Sequence, residues 1–197
     1  MDAQSQWTGL DAGRLERITD HIERNYIGPQ KIAGCQIAVS RRGHQAYLKS
    51  FGSMDLERDK PMMDDDIFRI YSMTKPIVSV AAMMLVEEGK LELDAPVAKY
   101  LPAFASVKVG VEKTDAAGGK SLEIVDAVRP MTVRDLMRHT SGLTYGFQSR
   151  TNVDAAYRAN KIDPFAQHEG LEAFIESLSK VPLEFSPGTA WNYSVST

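Results

Sequence analysis

The chain has 197 residues, of which 43% are hydrophobic and 25% charged, with 23 Lys and Arg against 26 Asp and Glu for a formal net charge of −3. That balance belongs to a globular protein able to bury a sizeable core, and it supplies no basic field for nucleic acid or an anionic membrane surface. A single cysteine, Cys35, excludes an internal disulfide.

In chain order, the first residues lack both the basic and the apolar region of a signal peptide, and no apolar run approaches the roughly 20 residues that span a bilayer. Cytoplasmic residence is therefore expected, unless a signal segment has been removed. Leu10, Leu15, Ile18, Ile22 and Tyr26 recur near helical spacing and predict an amphipathic helix over 10–26. Residues 34–40 and 45–51 are apolar-rich runs flanking Arg41-Arg42-Gly43-His44, a hairpin signal. Cys35 falls in the first of these strands and reads as a buried position, not a reactive thiol. Asp64-Asp65-Asp66 reads as a charged loop ahead of a strand.

Ser72-Met73-Thr74-Lys75 then opens an apolar helix, since residues 77–86 are hydrophobic on nearly every face, the pattern of a helix buried at the centre of a domain. Residues three apart on a helix are neighbours, with Cβ atoms roughly 5–6 Å apart. An amine at that distance can take a proton from Ser72 if burial keeps part of Lys75 neutral. Pro76 is compatible only with a helix that begins near Ser72, and a helix N-terminus supplies main-chain N–H groups and a positive dipole end for an anionic intermediate. The competing reading is a capping Ser followed by a solvated Lys.

Gly89 stops the helix. Residues 91–102 form a loop and a short helix. Residues 107–111 and 122–125 form a small hairpin around a flexible tip at 114–119. Residues 131–143 make a short capped helix ending in the polar turn His139-Thr140-Ser141-Gly142, and 151–159 and 171–178 are further helices. The last segment holds Ser186-Pro187-Gly188-Thr189, which is turn chemistry, and then Tyr193-Ser194. A tyrosine beside Lys75 can hold a lowered pKa and act as general base and then acid. His21, His44, His139 and His168 show no metal-binding spacing. His139 reads as a histidine that fixes its turn, not as a triad base. No Gly-x-Ser-x-Gly elbow occurs.

Phe68-Arg-Ile-Tyr-Ser72-Met-Thr-Lys75-Pro, His139-Thr-Ser-Gly-Leu143 and Phe185-Ser-Pro-Gly-Thr-x-x-x-Tyr193-Ser194 together resemble the serine β-lactamase and penicillin-binding-protein superfamily, and within it the family VIII carboxylesterases, which share the class C β-lactamase fold. The resemblance implies an α+β fold of β-lactamase/transpeptidase type, an antiparallel sheet flanked by helices plus a mainly helical domain. Residues 1–60 would supply the first helix and two strands of the sheet domain, and 61–197 the helical domain. It implies Ser72 as the acylated nucleophile, Lys75 as its proton acceptor, Tyr193 as the proton shuttle and the Ser72 main-chain N–H as one oxyanion donor. No cofactor or metal is implied. Val195 stands where class C enzymes carry the Asn that helps hold a β-lactam side chain. That favours a short-chain ester, with β-lactamase, D-aminopeptidase or transesterase chemistry, or a non-catalytic penicillin-recognising module, as alternatives. Tyr71, Tyr145 and Trp191 are candidates for an acyl pocket, or for plain core. The family's third motif lies on a strand well beyond its tyrosine, so the chain is expected to be a fragment, partnered by a C-terminal portion of the same polypeptide.

Overall fold

The computed structural model describes residues 7–162 and 169–197, in two compact units, Met1–Arg69 and Ile70–Thr197. The division thus falls later than residue 60. His168 lies outside the described residues.

In the first unit, helix α1 (Ala12–Ile22) starts at Asp11, whose carboxylate accepts the Arg14 main-chain N–H at 2.8 Å. The helix continues as a wider π-helical turn over Glu23–Ile27, which accounts for the apolar period reaching Tyr26. Strands β1 (Gly34–Arg41) and β2 (His44–Asp55) pair antiparallel, with Arg41 opposite His44. Arg42 and Gly43 turn the corner with φ of +54° and +76°, the doubly left-handed geometry that matches the twist of a two-residue hairpin. Gly34 faces Gly52 across the pair, and a Cβ on Gly52 would lie 2.3 Å from the Ala33 carbonyl, so the close approach there requires glycine. The Tyr47 hydroxyl lies 2.9 Å from Thr19 Oγ1 and Lys49 pairs with Glu16 at 2.6 Å, tying α1 to β2. A short β3 (Lys60–Pro61) edges this sheet. No strand follows Asp64–Asp66: Ser50 Oγ donates to Asp64 and the Met63 N–H to Asp66, and these bonds spend the carboxylates on closing a loop.

The second unit begins with a 3₁₀ turn (Tyr71–Met73) that runs into α2 (Thr74–Glu87), with Pro76 in the first turn, where its missing N–H costs nothing. Gly89, at φ +68°, ends the helix. Strands β4 (Lys108–Thr114) and β5 (Lys120–Asp126) form the second hairpin, and β4 also joins Leu183 through a parallel bridge with N–H···O bonds of 2.7 and 2.8 Å. Helix α3 (Val133–Met137) opens on a reciprocal capping box between Thr132 and Asp135, and α4 (Asn152–Ala159) on one between Thr151 and Asp154. Helix α5 (Leu171–Ser179) completes the set. The core gathers Val97, Phe104, Leu143, Tyr157, Leu178 and Leu183 from these elements.

The expectation of a buried helix at 77–86 is not met within this chain. No residue of α2 is buried, and Ile77, Val80 and Met84 are 60%, 63% and 56% exposed. An all-round apolar helix needs packed elements on every face, and among the described residues none covers these side chains.

Candidate active site

Ser72 sits in the 3₁₀ turn and Lys75 in the first turn of α2, with Ser72 Oγ 3.4 Å from Lys75 Nζ. Tyr71, immediately before Ser72, has φ of +45°, a left-handed conformation that a bulky side chain adopts only at a cost of about 1–3 kcal/mol. Lys75 Nζ donates to the Tyr145 hydroxyl at 3.2 Å and lies 4.7 Å from the centre of the Tyr193 ring. The structure therefore brings Ser72, Lys75, Tyr145 and Tyr193 together.

Electrostatics move Lys75 and Tyr193 in opposite directions. Burial alone would lower Lys75, but hydrogen bonds to Tyr193 and Tyr145 outweigh it and hold the ammonium above the ordinary lysine value. Hydrogen bonds from the Ser72 hydroxyl and then from Lys75 hold the Tyr193 phenol below its ordinary value. The neighbours of Lys75 are phenols, and its ammonium gains more from them than burial takes away. Tyr193 is the group whose proton is loosened.

Tyr193 is positioned by a ladder between the polar turn and the last segment. The Glu184 N–H donates to the Gly142 carbonyl at 2.7 Å, the Gly188 N–H to Thr140 at 2.8 Å and the Asn192 N–H to His139 at 2.9 Å. Gly142 has φ of +88°, and a Cβ there would lie 2.3 Å from the Phe185 carbonyl, so glycine lets the two segments meet. The turn is anchored beneath by Asp135, which is buried and accepts from both Arg129 Nη atoms, from the Thr132 N–H and hydroxyl and from the Thr140 hydroxyl. Burial would raise this carboxyl, but those donors hold it far below the usual range.

Sequence reasoning missed the network under Tyr193. Buried Asn192 donates to Thr144 Oγ1 at 2.9 Å and to Glu184 at 2.6 Å, Arg150 donates to Asn192 Oδ1 at 2.8 Å, and Gln148 donates to the Tyr193 carbonyl at 3.0 Å. The only available signal was a polar residue next to the tyrosine. Among the pocket candidates, Tyr145 is buried, stacked on Phe147 at 4.8 Å, and its hydroxyl touches Lys75. Trp191 is largely exposed and meets His139 edge-on at 6.0 Å. Tyr71 is 64% exposed beside Ser72. Val195 is half-buried and packs against the core of the unit. Among the described residues there is no cluster of His, Cys, Asp and Glu fit for a metal ion, and no helix long and apolar enough to cross a membrane.

Esterase EstB of Burkholderia gladioli is 32% identical over 189 residues, 94% of this chain and 44% of that protein. The lovastatin esterase of Penicillium rubens is 32% identical over 170 residues, 85% of this chain and 41% of its own length. The solved structure of EstCE1, a hydrolase with promiscuous acyltransferase activity, aligns with a TM-score of 0.75 at 27% identity, covering 94% of this chain and 45% of that one. The chain thus spans less than half the length of these relatives, and its fold is of the β-lactamase/transpeptidase type. Residues 19–197 match the family model described as Beta-lactamase, and the chain belongs to that family.

Proposed function

We propose that the protein is a serine hydrolase that forms an acyl-enzyme on Ser72 and acts on short-chain carboxylic esters. The observation that carries this reading is the Ser72–Lys75–Tyr193 cluster, with a phenol held below its ordinary pKa by the hydroxyl it would deprotonate and by a neighbouring ammonium. Ser72 Oγ attacks the ester carbonyl while its proton passes to the Tyr193 phenolate. The tetrahedral oxyanion is met by the Ser72 main-chain N–H at the start of the helix. Collapse expels the alkoxide, which takes the proton from Tyr193 and leaves the acyl group on Ser72. Water then attacks the acyl carbonyl, gives its proton to Tyr193, and releases the acid as that proton returns to Ser72 Oγ. Lys75 remains an ammonium throughout and keeps Tyr193 acidic.

Esters are favoured over β-lactams because Val195, packed against the core, offers no amide where class C enzymes use Asn. Transfer of the acyl group to an alcohol in place of water is a second outcome of the same intermediate, and it is favoured by the acyltransferase activity named for EstCE1. The test is incubation of the full-length protein with a reactive aryl phosphonate, followed by peptide mass mapping. The adduct is expected on Ser72, and Ser72→Ala should lose both adduct and ester turnover while keeping its circular dichroism spectrum. Turnover retained in that variant would overturn the reading.

A further inference from the structure

We propose that His139 is the positioning residue for Tyr193: its Nδ1 takes the Ser194 main-chain N–H and its ring packs on the phenol, so that one side chain fixes where the phenolic oxygen lies. The inference rests on Tyr193 acting as the base for Ser72.

His139 grips the segment at three consecutive residues. Its carbonyl accepts the Asn192 N–H at 2.9 Å, its ring centre lies 4.7 Å from that of Tyr193, and its Nδ1 lies 3.4 Å from the Ser194 nitrogen. A main-chain N–H can only donate, so Nδ1 is an acceptor and the neutral ring carries its proton on Nε2. The hydroxyls agree with that assignment. Ser194 Oγ donates to Ser196 Oγ at 2.9 Å, which leaves the Ser196 hydrogen for Nδ1 at 3.1 Å. Lys75 also overlies the Tyr193 ring, at 4.7 Å. Burial and then the Lys75 charge keep His139 below its ordinary value, which suits a neutral acceptor.

His139 also holds φ of +58°, a conformation that Asn adopts several times more readily than most residues and Gly adopts freely. Two substitutions therefore separate the ring's contacts from backbone strain. His139→Asn keeps an acceptor at the Nδ1 position, and His139→Gly removes it without strain. Both are made in the full-length protein, with rates normalised to phosphonate-titrated sites. His139→Gly is expected to lower kcat at least tenfold with KM within about twofold, because the acyl pocket is untouched while the base is misplaced. His139→Asn is expected to lose at least fivefold less. Unchanged kcat in His139→Gly would overturn the proposal, as would His139→Asn performing no better than His139→Gly. Should the glycine variant not fold, ¹⁵N NMR of the wild-type imidazole decides: an unprotonated Nδ1 is required, and a protonated one refutes it. Failure of the wild type to label on Ser72 would instead refute the hydrolase reading beneath it.

Discussion

Replacing Asp135 by Asn should cost about 3 kcal/mol of stability at pH 7. The carboxylate is 6% exposed and accepts five donors: the two Arg129 nitrogens at 2.6 and 2.8 Å, the Thr132 N–H at 2.9 Å, the Thr132 hydroxyl at 2.8 Å and the Thr140 hydroxyl at 2.9 Å. An amide presents one oxygen and one NH₂, so at least two of those donors would face another donor. Breaking a buried ion pair by removing one partner costs about 3–5 kcal/mol, and the lower end applies because Arg129 is 42% exposed and can turn to water. The same carboxyl is held well below its unfolded value of about 3.9. Its folded pKa is depressed, so its contribution is complete above that unfolded value and drains as pH falls and the unfolded chain takes up the proton. By pH 3 the loss reaches about 1.3 kcal/mol. Urea unfolding of wild type and Asp135→Asn at pH 7 and pH 3 should therefore give a gap that narrows by about that amount. A gap below 1 kcal/mol at pH 7, or one that does not shrink in acid, would refute the account of this anchor.

Two further outcomes follow from the site. Lys75→Met removes one of the two groups that lower the Tyr193 pKa, so the acid limb of the pH–rate profile should move to higher pH, and a limb left in place would remove Lys75 from that role. Gly142→Ala places a Cβ against the Phe185 carbonyl at a φ of +88°, and should destabilise by about 2 kcal/mol or more in denaturant unfolding while lowering the yield of phosphonate-labelled Ser72.

Much of this molecule is legible residue by residue, because the information is local. The Arg42-Gly43 turn, the apolar strands beside it, Pro76 confined to a first helical turn and the Thr132 and Thr151 caps each depend on a few neighbours in sequence. Ser72 and Lys75 are adjacent for the same reason: a helical turn brings positions i and i+3 together whatever surrounds it.

Tertiary structure decided what depends on distant partners. Burial of α2 is a property of what packs on it, so an apolar pattern that reads as core carries exposed Ile77, Val80 and Met84 in these residues. Tyr145 and Tyr193 reach Lys75 across many positions in sequence, and their phenols reverse the sign of the Lys75 shift that burial alone would give. The ladder from His139, Thr140 and Gly142 to residues 184–192 leaves no periodic trace, because each bond joins a main-chain group to another that any residue type could supply. Sequence alone thus made Ser72 and Lys75 neighbours on one helical turn, while only the packed chain set the opposite pKa shifts of Lys75 and Tyr193, since pKa depends on what surrounds a group in space.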